Sequence, residues 1–117
     1  MRISVKKLNE SLKKQIVWEL AQTLTNFKDP QQTLVFLNDF LNTTELETFA
    51  KRLAIAYWLK KGRSYNNIKD NLKVSNATIA TVQETLNTSG MKLAIKDLEA
   101  EEWANKWSEK IKGMVKK

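Results

Sequence analysis

At 117 residues the chain is sized for one domain with a single core, and it has neither Cys nor His, which excludes disulfides, thiol nucleophiles and the common zinc sites. Its 20 Lys/Arg against 13 Asp/Glu give a net charge of +7, a balance that favours a polyanionic partner because a basic surface releases counterions when it neutralises phosphates. No apolar run approaches the roughly 20 residues that cross a bilayer, and Lys13 and Lys14 interrupt the stretch after the basic Met1–Lys7, so neither a membrane segment nor a secretory leader is expected and the cytoplasm is the default.

One Pro and three Gly leave little turn chemistry for sheets, and the apolar residues recur at helical spacing. An all-α fold is expected. Val5, Leu8, Leu12, Ile16, Leu20, Leu24 and Phe27 form one drifting stripe, which predicts a first helix of about six turns at 3.6 residues per turn. Trp18 lies opposite that stripe. Asp29-Pro30 closes this helix and opens a second one carrying Leu34, Phe36, Leu37, Phe40 and Leu41, since Pro suits a first helical position and disfavours helix before it. A third helix is capped by Thr43 or Thr44, with Glu47 completing a capping-box pattern. It runs to Lys61 and stops at Gly62.

The middle of that third helix, Leu53 to Leu59, is apolar in every direction, and a helix apolar all round is buried all round. In so small a chain a partner subunit meets this need more readily than one monomer does. Together with Trp18 it predicts a homodimer.

Tyr65–Glu84 has the spacing of a helix-turn-helix. Ser64 caps a short helix with Ile68 and Leu72 on one face, Val74 sits in a tight turn, and Ser75 caps a second helix whose inner face is Ile79, Val82 and Leu86. Counted from Tyr65, the apolar positions fall fourth, eighth, tenth, fifteenth and eighteenth, which packs two short helices steeply around a small core and leaves the second free to enter a major groove. Lys69 and Lys73 stand at the fifth and ninth positions, where Ala and Gly are usual. A Lys at the ninth carries modest strain or imposes a different turn.

The exposed face of the second helix is expected to be Ser75, Asn76, Ala77, Ala80, Thr81 and Glu84, with Gln83 on its flank. Asn76, Ala77, Thr78, Ala80, Thr81 and Glu84 are the candidates for base contacts, because amides pair with adenine edges and methyl groups touch thymine methyls. The helix itself carries no Arg or Lys. Positive charge comes from its surroundings, so Lys60, Lys61, Arg63, Lys69 and Lys73, with the hydroxyls of Ser64 and Ser75, are the candidates for phosphate contacts. The partner expected is double-stranded DNA.

The stretch from about Phe40 to Leu98 resembles the tryptophan repressor superfamily, especially its small repressor-like branch of the YerC/YecD type. The resemblance is carried by Thr44-Glu45-Leu46-Glu47, Lys51 to Ala56, Leu59-Lys60-Lys61-Gly62-Arg63-Ser64-Tyr65-Asn66-Asn67-Ile68, Ser75 to Ile79, Val82, Leu86-Asn87 and Gly90-Met91-Lys92-Leu93. It implies an intertwined all-helical homodimer, two recognition helices about one DNA turn apart, and transcriptional control at a roughly palindromic operator. The tryptophan repressor places two arginines around its bound amino acid. Arg52 matches the first and marks a candidate effector or dimer pocket. Thr81 stands where the second would be and cannot clamp a carboxylate, which argues against a tryptophan-type co-repressor; no cofactor is expected.

The tail beyond Leu98 shifts the phase of its apolar face near Glu99–Glu102, which predicts a break and a new helix. Trp103, Trp107, Ile111 and Met114 share a stripe there, opened by Glu99, Glu101 and Glu102 and closed by Lys110 and Lys112, in keeping with the helix dipole. The organisation expected is a single helical domain: dimerisation helices over 1–42, a central helix plus the helix-turn-helix over 43–88, and a helical extension over 89–117.

The functional reading is a sequence-specific, repressor-like transcriptional regulator. The alternative is a non-catalytic protein-interaction or nucleoid-type module that uses the helix-turn-helix as a scaffold. No enzyme is expected. The carboxylates cluster at helix starts, where capping explains them, and neither a Gly-rich phosphate loop nor a calcium-hand loop is present, so no metal is expected.

Overall fold

The computed structural model describes residues 7–115, and side chains are described for all of these except 103, 104 and 106–115. Among the described residues there are six helices and no strand: α1 (Glu10–Asn26), α2 (Pro30–Phe40), α3 (Thr43–Lys60), α4 (Tyr65–Leu72), α5 (Asn76–Gln83) and α6 (Ser89–Val115). The chain divides into two compact units, Met1–Leu46 and Glu47–Lys117.

In the first unit, α1 begins later than its apolar stripe suggests. The Asn9 carboxamide oxygen accepts from the N–H groups of Ser11 at 2.9 Å and Leu12 at 3.2 Å, so the cap sets the start and Leu8 precedes the helix. Val5 lies outside the described residues. Asp29 caps α2 by accepting from Gln32 N–H at 2.9 Å, and Gln32 Oε1 accepts in return from Lys28 N–H at 3.0 Å. Pro30 takes the first position, where its missing donor costs nothing. Leu41 is the C-cap of α2. Phe36 links Phe27 and Phe40, with ring centroids 5.3 and 4.8 Å away. Neither α1 nor α2 contains a buried residue.

The start of α3 corrects the expected cap. Asn42 rather than Thr43 or Thr44 opens the helix: its side chain accepts from Glu45 N–H at 2.8 Å, while Glu45 Oε1 accepts from Asn42 N–H at 2.9 Å. Asn ranks at least level with Thr as a cap and sits one residue earlier, so Glu45 closes the box. Glu47 instead pairs with Lys51 one turn on, at 3.7 Å.

The second unit holds a closed core of Ile55, Ala56, Ile68, Ile79, Val82 and Ile95, with Tyr57, Trp58, Leu59, Tyr65, Leu72, Val74, Leu86 and Met91 packed around it. The all-round burial expected for α3 is not met within one chain. Ile55 and Ala56 are buried, whereas Phe49 and Leu53 are 49% and 39% exposed. α3 ends one residue before Lys61, and Gly62 adopts φ +85°. Its N–H reaches Leu59 C=O at 3.0 Å, and Arg63 N–H reaches Trp58 C=O at 3.1 Å. This paired closure needs a left-handed residue, which Gly supplies without steric cost.

α6 is a single helix, not two. The expected break at Glu99–Glu102 fails because a shift in the phase of an apolar stripe does not end a helix; Gly, Pro or a competing cap does. None lies between Leu98 and Glu102. The side chains of Trp103, Trp107, Lys110, Ile111, Lys112 and Met114 lie outside the described residues.

Candidate nucleic-acid interface

Two short helices and the turn between them form the site. Ser64 Oγ accepts from Asn67 N–H and opens α4; Ser75 Oγ accepts from Thr78 N–H and opens α5, each at 3.1 Å. Between them Lys73 is left-handed at φ 57° and ψ 53°, with its N–H on Lys69 C=O at 2.9 Å. The chain thus makes the turn that Gly would make, with Lys in its place, at a cost of about 1–2 kcal/mol. Ile68 from α4 and Ile79 and Val82 from α5 are buried together, while Leu72 and Val74 close the edges. The Tyr65 hydroxyl donates to Gln83 Oε1 across 18 residues of chain, joining the start of α4 to the end of α5.

With Ile79 and Val82 turned inward, the opposite face of α5 is fixed. At about 100° per residue, Asn76, Ala77, Ala80, Thr81 and Glu84 share one arc, and all five are exposed. Thr78 is exposed but lies on the flank. It faces a groove of about 310 Å³ between α3 and the turn, lined by Thr48, Lys51, Arg52 and Ile55 on one side and Lys73, Val74, Ser75 and Thr78 on the other. The groove brings Arg52 and the start of α5 together, whereas Thr81 is not among its lining residues.

The predicted phosphate-contact residues divide by what they touch. Lys60, Lys69 and Lys73 are exposed and make no ion pair among the described residues. Lys61 Nζ pairs with Glu102 Oε2 at 3.3 Å and lies 5.8 Å from the Tyr57 ring centroid. Arg63 stacks on Trp58, its guanidinium carbon 4.0 Å from the ring centroid, and Nη1 donates to Asn67 Oδ1 at 3.3 Å. Arg63 is thus held in one pose with an edge exposed, while Lys61 is drawn toward α6. The sequence reading missed these anchors. Asn67 was discernible as the i+4 neighbour of Arg63, but the Tyr65–Gln83 and Lys61–Glu102 contacts join distant positions and carry no local signal.

Residues 15–98 match the family described as Trp repressor protein. This stretch holds α2 to α5 whole, the turn between α4 and α5, and every residue of the second unit's core. The chain belongs to the Trp repressor family. This is a family of non-enzymatic regulators, and membership points to a DNA-binding role. The chain is also 30% identical, over 69 residues, to a protein of Bacillus subtilis (strain 168) named "Uncharacterized protein YerC". The match covers 59% of this chain and 66% of that relative, just under two thirds of the relative's length. Among the described residues no helix is long and apolar enough to cross a membrane, and no cluster of acidic side chains could hold a metal ion.

Proposed function

We propose that this protein is a sequence-specific, repressor-like transcriptional regulator that reads duplex DNA through α5 as a homodimer. The observation that carries this reading is the pairing of a closed α4–α5 core with an outward arc of α5 whose five residues are all exposed. Asn76, Ala77, Ala80, Thr81 and Glu84 meet base edges, with Thr78 at the margin. Lys60, Lys69, Lys73 and the guanidinium edge of Arg63 hold the backbone, and the start of α5 adds N–H donors beside Ser75. The groove at Arg52 is where an effector or a partner subunit would act on the recognition helix.

The dimer rests on unburied apolar surface. On α1, Leu12, Ile16, Leu20 and Leu24 are all exposed along one stripe, the kind of apolar surface that marks an interaction site; in the other unit Phe49 and Leu53 of α3 are exposed as well. Trp18, 68% exposed on the other side of α1, adds to it. A two-fold dimer places two recognition helices on half-sites about one DNA turn apart.

The experiment is selection from a random duplex library at two salt concentrations, with sequencing of the retained fraction. Enrichment of a two-fold symmetric motif is expected. Salt-sensitive retention without enrichment would instead make the protein a nucleoid-type binder. Failure to retain any duplex at low salt would replace the reading with a protein-interaction module, which the lack of a cation on the arc itself favours.

A further inference from the structure

The hydroxyl groups of the recognition helix are already engaged within it. Thr81 Oγ1 donates to Ala77 C=O at 3.0 Å. Thr78 Oγ1 and Ser75 Oγ lie 2.9 Å apart, and the same Ser75 oxygen accepts from Thr78 N–H. Donating the Thr81 hydroxyl proton to a base would forfeit its bond to Ala77, so toward DNA the side chain keeps its γ-methyl and an acceptor oxygen but no donor. The outward arc therefore presents the methyl groups of Ala77, Ala80 and Thr81 and the primary amide of Asn76, which has no side-chain partner among the described residues. It contains no Lys or Arg, and its far end carries the Glu84 carboxylate.

In the major groove guanine offers two acceptors, which call for a cationic or bidentate donor; adenine offers an acceptor beside a donor, which an amide matches; thymine offers a methyl group. A cation-free, methyl-bearing arc fits thymine and gives guanine little. Resting on the DNA-binding reading above, we infer that each half-site is A·T-rich and is read through thymine 5-methyl groups packed on α5, with Thr81 a specificity-determining contact and Asn76 pairing with adenine. Glu84 accepts from an exocyclic amine at the end of the arc.

The test uses the full chain and the duplex its own selection enriches, compared with the same duplex carrying uracil for thymine in both half-sites, which removes only the methyl groups. Binding is followed by fluorescence anisotropy for the native protein and for Thr81→Ser, which keeps the hydroxyl and removes the methyl. Uracil should weaken native binding about fourfold for each contacted thymine, the weight of roughly one buried methylene, and Thr81→Ser should lose part of that discrimination. A G·C-rich motif, or equal affinity for thymine and uracil duplexes, would overturn the inference while leaving DNA binding intact. A uracil effect undiminished in Thr81→Ser would overturn the assignment to Thr81. Retention of no duplex at all would overturn this inference and the DNA-binding reading together.

Discussion

The two units of this chain treat the same kind of residue in opposite ways. In Met1–Leu46, leucines, valines and phenylalanines line helices that bury none of their residues; in Glu47–Lys117, isoleucines from α3, α4, α5 and α6 meet in one sealed core. The second unit can do this because two of its helices, α4 and α5, are only eight residues long and are set between sharp turns. Gly62 and Lys73, both left-handed, fold α4 and α5 back within a few residues. α1 runs 17 residues with no such turn inside it, and within its own unit none of them is buried. One unit is stable through its own contacts and the other presents a surface that asks for a partner.

The largest expected effect tests that contrast at α1. If the chain pairs as proposed, Ile16→Asp combined with Leu20→Asp should yield a monomer in light scattering where the native chain gives twice that mass, since each such side chain contributes about 1.5–3 kcal/mol when covered and every change occurs twice in a dimer. An unchanged mass would show that this face is not the interface. In the second unit, Ile79→Ala should cost about 2–5 kcal/mol by urea unfolding and abolish DNA binding by loosening α4 against α5. A loss below about 1 kcal/mol would mean that the core relaxes around the gap and is less closed than its burial indicates.

A smaller effect separates the surface of the second unit from its core. Asn76→Ala should leave the unfolding midpoint nearly unchanged while costing about 1–3 kcal/mol on the preferred duplex; an equal loss on random DNA would count against base readout. The smallest effect concerns the turn. Lys73→Gly removes the strain of a left-handed Lys and should raise stability by up to about 1 kcal/mol. It should also shallow the salt dependence of DNA binding by about 0.9 in log–log slope, the loss of one phosphate contact. A steeper or unchanged slope would take Lys73 off the backbone.

Local chemistry made much of this molecule readable. Ser64, Asp29, Ser75 and Gly62 end or begin helices through bonds to their near neighbours, so their roles follow from residue type and spacing alone. The same holds for the inward set Ile68, Ile79 and Val82 and hence for the outward arc of α5, because on a helix one face fixes the other. Where two local solutions competed, the reading slipped: Asn42 preceded Thr43 and took the cap, and a shift of apolar phase at Glu99 was mistaken for a break although nothing there stops a helix.

Residue type and spacing were enough for the all-helical class, the first five helices in order and the inner and outer faces of the helix-turn-helix; they left open whether Lys73 would turn left-handed. Which cations remain available depends on contacts that the folded chain alone creates. Arg63 is committed to Trp58 and Asn67, Lys61 leans on Glu102, and Tyr65 is joined to Gln83. The fold also determines that Arg52 and the start of α5 share a groove while Thr81 is not part of its lining. The physical reason is range. Caps and stripes are set within a turn or two of chain, whereas these contacts join positions that only the closed core brings within reach.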